Sequence, residues 1–146
     1  MKTLWQDERR RELVDRIGRL TPEAKALWGR MDAPQMVAHL AASLRMAIGD
    51  LPTVMKDTPL RHPPLKQLII YVLPFPKGAP TAPELQRAPV AWQKEVDDLR
   101  ALLDRFATRE RSGRWPSHPA FGRLSARGWG VLTYKHCDHH LRQFGV

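Results

Sequence analysis

Apolar positions recur with helical spacing in four long segments of this chain. Leu13, Val14 and Ile17 form the stripe of a helix from Trp5 to Arg19, whose charged middle is expected to face water. Asp32-Ala33-Pro34-Gln35 places a capping acid three residues before a glutamine, an arrangement in which each side chain satisfies an otherwise free backbone amide. The helix it starts should run to about Ile48 and stop at Gly49. Trp92, Val96, Leu99, Leu103 and Phe106 alternate four and three apart, the seam of a packed helix from Pro89 to Glu110, with Ser112-Gly113 ending it. Ser125 caps a last helix from Ala126 to about Gln143.

The links between these helices differ. Thr21-Pro22-Glu23 reads as a capped start for one short turn. Residues 50–88 hold most of the 13 prolines. Within them, Pro64 to Leu73 fits a short buried helix or a strand, and helix is favoured because no partner strand is evident. Pro74 to Thr81 is a stiff loop with few backbone donors, and Thr81-Ala82-Pro83-Glu84 caps one further turn. His118 to Gly122 is a turn. A short first link and a long second one suit an all-α four-helix bundle with a long crossover between the second and third main helices, which then run parallel. A length of 146 residues fits a single domain over 1–146.

The formal charge of +9 invites a nucleic-acid reading. The arginines, however, are scattered among acids, as in Asp7-Glu8-Arg9-Arg10-Arg11-Glu12, which is the pattern of a solvated helix face. No specific nucleic-acid partner is expected. No apolar run approaches the roughly 20 residues of a membrane span, and the N-terminus has no apolar signal segment. The single cysteine, Cys137, can form no internal disulfide. The expectation is a cytoplasmic protein without membrane contact, with a homodimer left open.

The candidate chemistry lies in Tyr134 to Phe144, where three of the six histidines sit. His136 and His140 are four apart, about 40° around a helix, so their rings can meet at one point. They continue the stripe of Trp129 and Leu132 and should face inward, unlike a tag or an exposed cluster. Two such imidazoles are two-thirds of a tris-histidine metal site, and His39 on the second helix is the obvious third donor. Taken alone, His39 equally fits a core-edge histidine bonded to a carbonyl. Gln143, on the same face, could orient a ligand, and Gln35 falls along the same helix edge as His39. His139 borders the metal face as a supporting donor or an exposed ring. Lys77 and Thr81 could shape a substrate mouth, while His118 fits either a functional role or a turn-stabilising hydrogen bond. Asp138 lies about 160° from His140 and reads as a surface charge. Cys137 reads as a buried, inert thiol rather than a fourth ligand.

Several motifs in order carry a resemblance: Trp28-Gly29-Arg30-Met31, Gln35-Met36-Val37-Ala38-His39-Leu40, Pro76-Lys77-Gly78-Ala79-Pro80-Thr81, His118 through Ser125, and Trp129-Gly130 with His136 through Phe144. Across nearly the whole chain they resemble a branch of the DinB/YfiT-like superfamily that has no assigned function. The resemblance implies a four-helix bundle with a crossover and a divalent metal, zinc or nickel, at one end. His39, His136 and His140 map onto that superfamily's metal ligands. Several of its members join a low-molecular-weight thiol to an electrophile. The implied function is a metal-dependent S-transferase or hydrolase acting on a small electrophilic substrate, with no carboxylate standing out as general base. A metal-binding structural or sensing protein and a basic nucleic-acid-associated protein are the alternatives.

Overall fold

The computed structural model describes residues 1–78 and 81–146. Among these the chain is mostly helical: α1 (Asp7–Gly18), α2 (Ala33–Ile48), α3 (Leu65–Gln67), α4 (Trp92–Thr108) and α5 (Ala126–Gln143). Two strands of two residues, β1 (Ser117–His118) and β2 (Gly122–Arg123), pair antiparallel with His118 opposite Gly122. The expected turn over His118 to Gly122 is therefore closed by a small strand pair.

The start of α2 is fixed as its sequence dictates. Asp32 accepts from the Gln35 amide at 2.8 Å, and the Gln35 side chain accepts from the Asp32 amide at 3.0 Å. Gly49 ends the helix in the left-handed region at φ 90°. Arg45 is the only charged residue in α2, and the helix is buried on nearly all sides, as a helix without a polar face must be. It packs against both α4 and α5, and α1 packs against the same two. Leu13, Ile17, Met36, Leu40, Leu44, Leu99, Leu103, Phe106, Trp129 and Leu141 are fully buried between them. Each such side chain contributes about 1.5–3 kcal/mol relative to exposure. Successive positions along α2 meet successive positions of the later segment. His39 meets Leu85, Arg45 pairs with Asp98 at 3.1 Å, and Arg109 donates to the Ile48 carbonyl.

Several boundaries differ from the periodicity. The first helix begins at Asp7 because Trp5 is used elsewhere: its ring lies 4.9 Å from Phe106, and its indole N–H donates to Ala126 at 2.8 Å. Arg16 on α1 is buried rather than solvated, donating to Asp138 at 2.7 Å and to the Val146 carbonyl at 2.9 Å. Thr21-Pro22-Glu23 forms only a turn, in which Ala24 donates to Thr21 at 3.1 Å. The third long helix begins at Trp92 rather than Pro89. The buried Glu95 carboxylate holds the preceding segment extended by taking the Val90 amide at 3.0 Å and the Arg87 guanidinium at 2.7 Å.

In the long link, α3 continues into a π-helix over Leu68–Val72. Ile70 packs there into a second, smaller core with Phe121, Val131 and Leu132. Lys135 of α5 donates to the carbonyls of Ile69, Ile70 and Leu73 at 2.7, 3.0 and 2.6 Å, supplying the donors that the end of the helical segment lacks. A 3₁₀ turn, Pro83–Leu85, follows, preceded by Ala82 without a side-chain cap, so Thr81 does not cap it. Ala79 and Pro80, part of the expected stiff loop, lie outside the described residues. No described helix is long and apolar enough to cross a membrane.

Candidate metal centre

His39 comes from the second turn of α2, and His136 and His140 from the last two turns of α5. The contact between α2 and α5 brings all three together. The Nε2 atoms of His39 and His136 lie 3.0 Å apart, and those of His136 and His140 lie 3.1 Å apart. One nitrogen from each ring falls within 4.8 Å of the others. His39 and His140 are buried, whereas His136 keeps a small part of its surface accessible.

The outer ring nitrogens fix the tautomers. His39 Nδ1 faces the Leu85 carbonyl at 3.3 Å, an atom that can only accept, so Nδ1 carries the proton. His140 Nδ1 lies 2.8 Å from Gln143 Oε1. The Gln143 amide nitrogen donates to the Trp28 carbonyl at 2.6 Å, which orients Oε1 toward His140 as an acceptor. Both inner Nε2 atoms therefore present lone pairs toward His136 Nε2. A single proton on His136 serves two such acceptors poorly, whereas a cation serves all three nitrogens. Donors bound to a tetrahedral zinc at about 2.0–2.1 Å are separated by roughly 3.3 Å, close to the spacing seen here.

Burial pushes the His136 pKa well below the ordinary histidine value, and the neighbouring His140 and His39 rings push the same way. Burial, then His39, lowers His140 to about 4. Burial lowers His39 as well, opposed by the hydrogen bond to Leu85. At neutral pH the three rings are uncharged, the state that a metal requires of its ligands.

The loop before α2 is shaped to reach this group. Gly29 has φ +82°, and a Cβ there would sit 2.5 Å from Gln143 Nε2. Only glycine lets the Trp28 carbonyl approach Gln143 in this way. The Leu27 amide also donates to the Gln143 carbonyl at 2.7 Å.

The remaining candidates separate clearly. His139 is not in the donor group: its ring stands 5.7 Å from Trp28, 5.2 Å from Phe75 and 5.2 Å from His140. Lys77 lies 4.3 Å over the Trp28 ring. Gln35 is exposed and committed to the α2 cap, so it does not support His39. Thr81 offers its carbonyl to Gln86 at 3.3 Å and makes no hydrogen bond to the triad among the described residues. His118 serves the hairpin, where its Nδ1 accepts from the Ala120 and Phe121 amides at 3.1 and 3.3 Å. Burial drives the Cys137 thiol up to about 12, which keeps it protonated and unreactive. Asp138 is not a free surface charge, since it pairs with Arg16 at 2.7 Å and Arg142 at 3.0 Å.

Periodicity gave no sign of Leu85 or Phe75, because neither acts from a long helix. The Leu85 carbonyl is a backbone group, and Phe75 covers His136 with ring centres 5.2 Å apart. A cleft of about 470 Å³ opens on a neighbouring face of α5, lined by Phe75 and His139 but by none of the three histidines of the triad.

The family described as "Protein of unknown function (DUF1569)" matches residues 6–145. The chain belongs to that family. The match runs from the turn before α1 past the end of α5, so all three histidines of the triad, with Trp28, Leu85 and Gln143, lie within it. Comparison with curated proteins and with solved structures gives no match.

Proposed function

We propose that this DUF1569 chain is a DinB/YfiT-like metal-dependent enzyme, acting on a small electrophilic molecule by thiol-dependent S-transfer or hydrolysis. His39, His136 and His140 would hold one divalent ion, zinc or nickel. The observation that carries this reading is the convergence of three neutral imidazoles, two of them with Nδ1 bonded away and Nε2 aimed inward. The mutual packing of four long helices, and the common direction of α2 and α4 across a long link, support a four-helix bundle with one crossover.

A divalent ion at this place supplies a Lewis acid that lowers the pKa of a water or thiol and so provides a nucleophile at neutral pH. The chain's own residues do the rest. Leu85 and Gln143 hold two rings in the required tautomer. Packing of α2 against α5 buries His39 and His140 and leaves His136 only partly accessible. The all-histidine donor set adds no negative charge, leaving the ion its full charge.

A catalytic reading is favoured over a structural metal site because structural zinc is closed by four protein ligands. Here the described donor group has three members, Cys137 stays protonated, and Asp138 is tied to two arginines. A small molecule is favoured over nucleic acid because Arg9, Arg10, Arg16, Arg45 and Arg105 are each paired with acids rather than aligned in a free stripe.

Elemental analysis of untagged protein tests the metal. About one zinc or nickel per chain is expected. Alanine at His39, His136 or His140 should remove it while the helical circular dichroism remains, because burial in the helix seams carries the fold. Protein that takes up neither metal on reconstitution would sink the reading.

A further inference from the structure

The cleft lined by Trp28, Phe75 and His139 has a chemistry of its own. Its cationic walls are Lys77, Lys135 and Arg142, and Asp138 is the one acid among its lining residues. Asp138 is already balanced by Arg16 from outside the cleft as well as by the Arg142 Nε. Lys135 spends its ammonium on three carbonyls of the π-helical segment. Among the described residues the terminal nitrogens of Arg142 have no acceptor, and Lys77 has only the face of Trp28 beneath it, at 4.3 Å. The cleft thus carries surplus positive charge on two side chains able to take an anion. Its other walls are flat: Trp28 and Phe75 bracket the His139 ring at 5.7 and 5.2 Å. Phe75 also lies 5.2 Å from the ring of His136, the accessible member of the triad.

We propose that this cleft binds a small organic anion with a flat, unsaturated body. Lys77 and Arg142 hold the anionic group, and the flat body lies against Phe75 and Trp28. A volume of about 470 Å³ falls within the usual range for small-molecule sites. Resting on the metal-enzyme reading, the electrophile is then an unsaturated or aromatic acid, held against Phe75, whose ring also packs on His136. The charge contributes recognition, while the ring surfaces exclude water and fix orientation.

Titrations of benzoate, benzamide, acetate and phenyl phosphate, followed by the NMR shift of the Trp28 indole N–H, test this. Saturable benzoate binding is expected, with the neutral benzamide and the bodiless acetate each weaker by about tenfold or more. Phenyl phosphate should bind comparably, since it keeps both the anion and the ring. Lys77→Met and Arg142→Gln should each weaken benzoate by about 3- to 10-fold. Stripping the metal, or His136→Ala, should leave benzoate affinity nearly unchanged. Equal binding of benzamide, indifference to both cleft variants, or loss of benzoate on metal removal would overturn the proposal. In the last case the metal, not the cleft, holds the anion. If the chain binds no metal yet binds benzoate as described, the anion site stands and only the metal-enzyme reading falls. If metal binds and benzoate does not, the anion site falls alone.

Discussion

Gln143 joins two distant parts of the chain through one amide. Its oxygen faces His140 Nδ1 at 2.8 Å, and its nitrogen donates to Trp28 at 2.6 Å. Gln143→Leu keeps the volume and removes both bonds. Metal affinity, measured by competition with a chelator, should fall by about 10- to 100-fold, the usual effect of losing a partner behind a metal ligand. The unpaired Trp28 carbonyl should lower stability to denaturant by about 1–3 kcal/mol. Gly29→Ala attacks the same contact from the other side. Its Cβ would overlap Gln143 Nε2, and its φ of +82° is strained for alanine. A stability loss of about 1–3 kcal/mol, with weakened metal binding, is expected. Wild-type stability in this variant would show that the loop moves away at no cost.

Among the elements, α2 supplies His39, and the π-helical segment packs on α5 next to His136. The capping box of α2 fixes where the helix begins, and His39 lies less than two turns beyond it. Asp32→Ala should cost about 1 kcal/mol in denaturant unfolding. Lys135 pins the π-helical segment to α5 next to His136, and Phe75 follows that segment over the His136 ring. Lys135→Met leaves three carbonyls without their donor. Faster amide hydrogen exchange is expected through Ile69–Leu73, with protection in α2 and α4 unchanged. Unchanged exchange in the segment would mean that Ile70 packing alone holds it.

For the molecule as a whole, neutral histidines held away from water make stability depend on pH. His118 is the clearest case outside the metal group. Burial, aided by the Lys66 charge, lowers its pKa from the ordinary 6.5 to about 4. Protonating Nδ1 would also break its bonds from the Ala120 and Phe121 amides. Between pH 6.5 and 4 the unfolded chain binds more protons at this residue than the folded one. The stability present above pH 6.5 is therefore lost as pH falls toward 4. The loss attributable to His118 should be on the order of 3 kcal/mol. Comparing urea midpoints of the wild type and His118→Asn across that window isolates it, since asparagine offers an acceptor that does not titrate. Parallel curves for the two proteins would refute the assignment.

Much of the architecture was legible in one dimension because it rests on local rules. The Asp32–Gln35 box, the Gly49 stop, the Ser125 cap and the three-four spacing of α4 depend on neighbours within a turn or two, and each appears where its residues stand. The pairing of His136 with His140 was likewise written in their spacing. Where local preference met a distant partner, the partner won. Trp5 left the first helix to pack on Phe106, Glu95 kept Val90 extended, and Arg16 was drawn inward by Asp138 and the chain end. Gln35 fits the edge shared with His39 by angle alone, but its amide is spent on the cap. Tertiary packing alone brought His39 within 3.0 Å of His136 and placed the Leu85 carbonyl behind it. It also laid Phe75 over the His136 ring. Periodicity reports which face of a helix is buried; only the packing of α2 on α5, and the path of the long link across them, decides what that face meets.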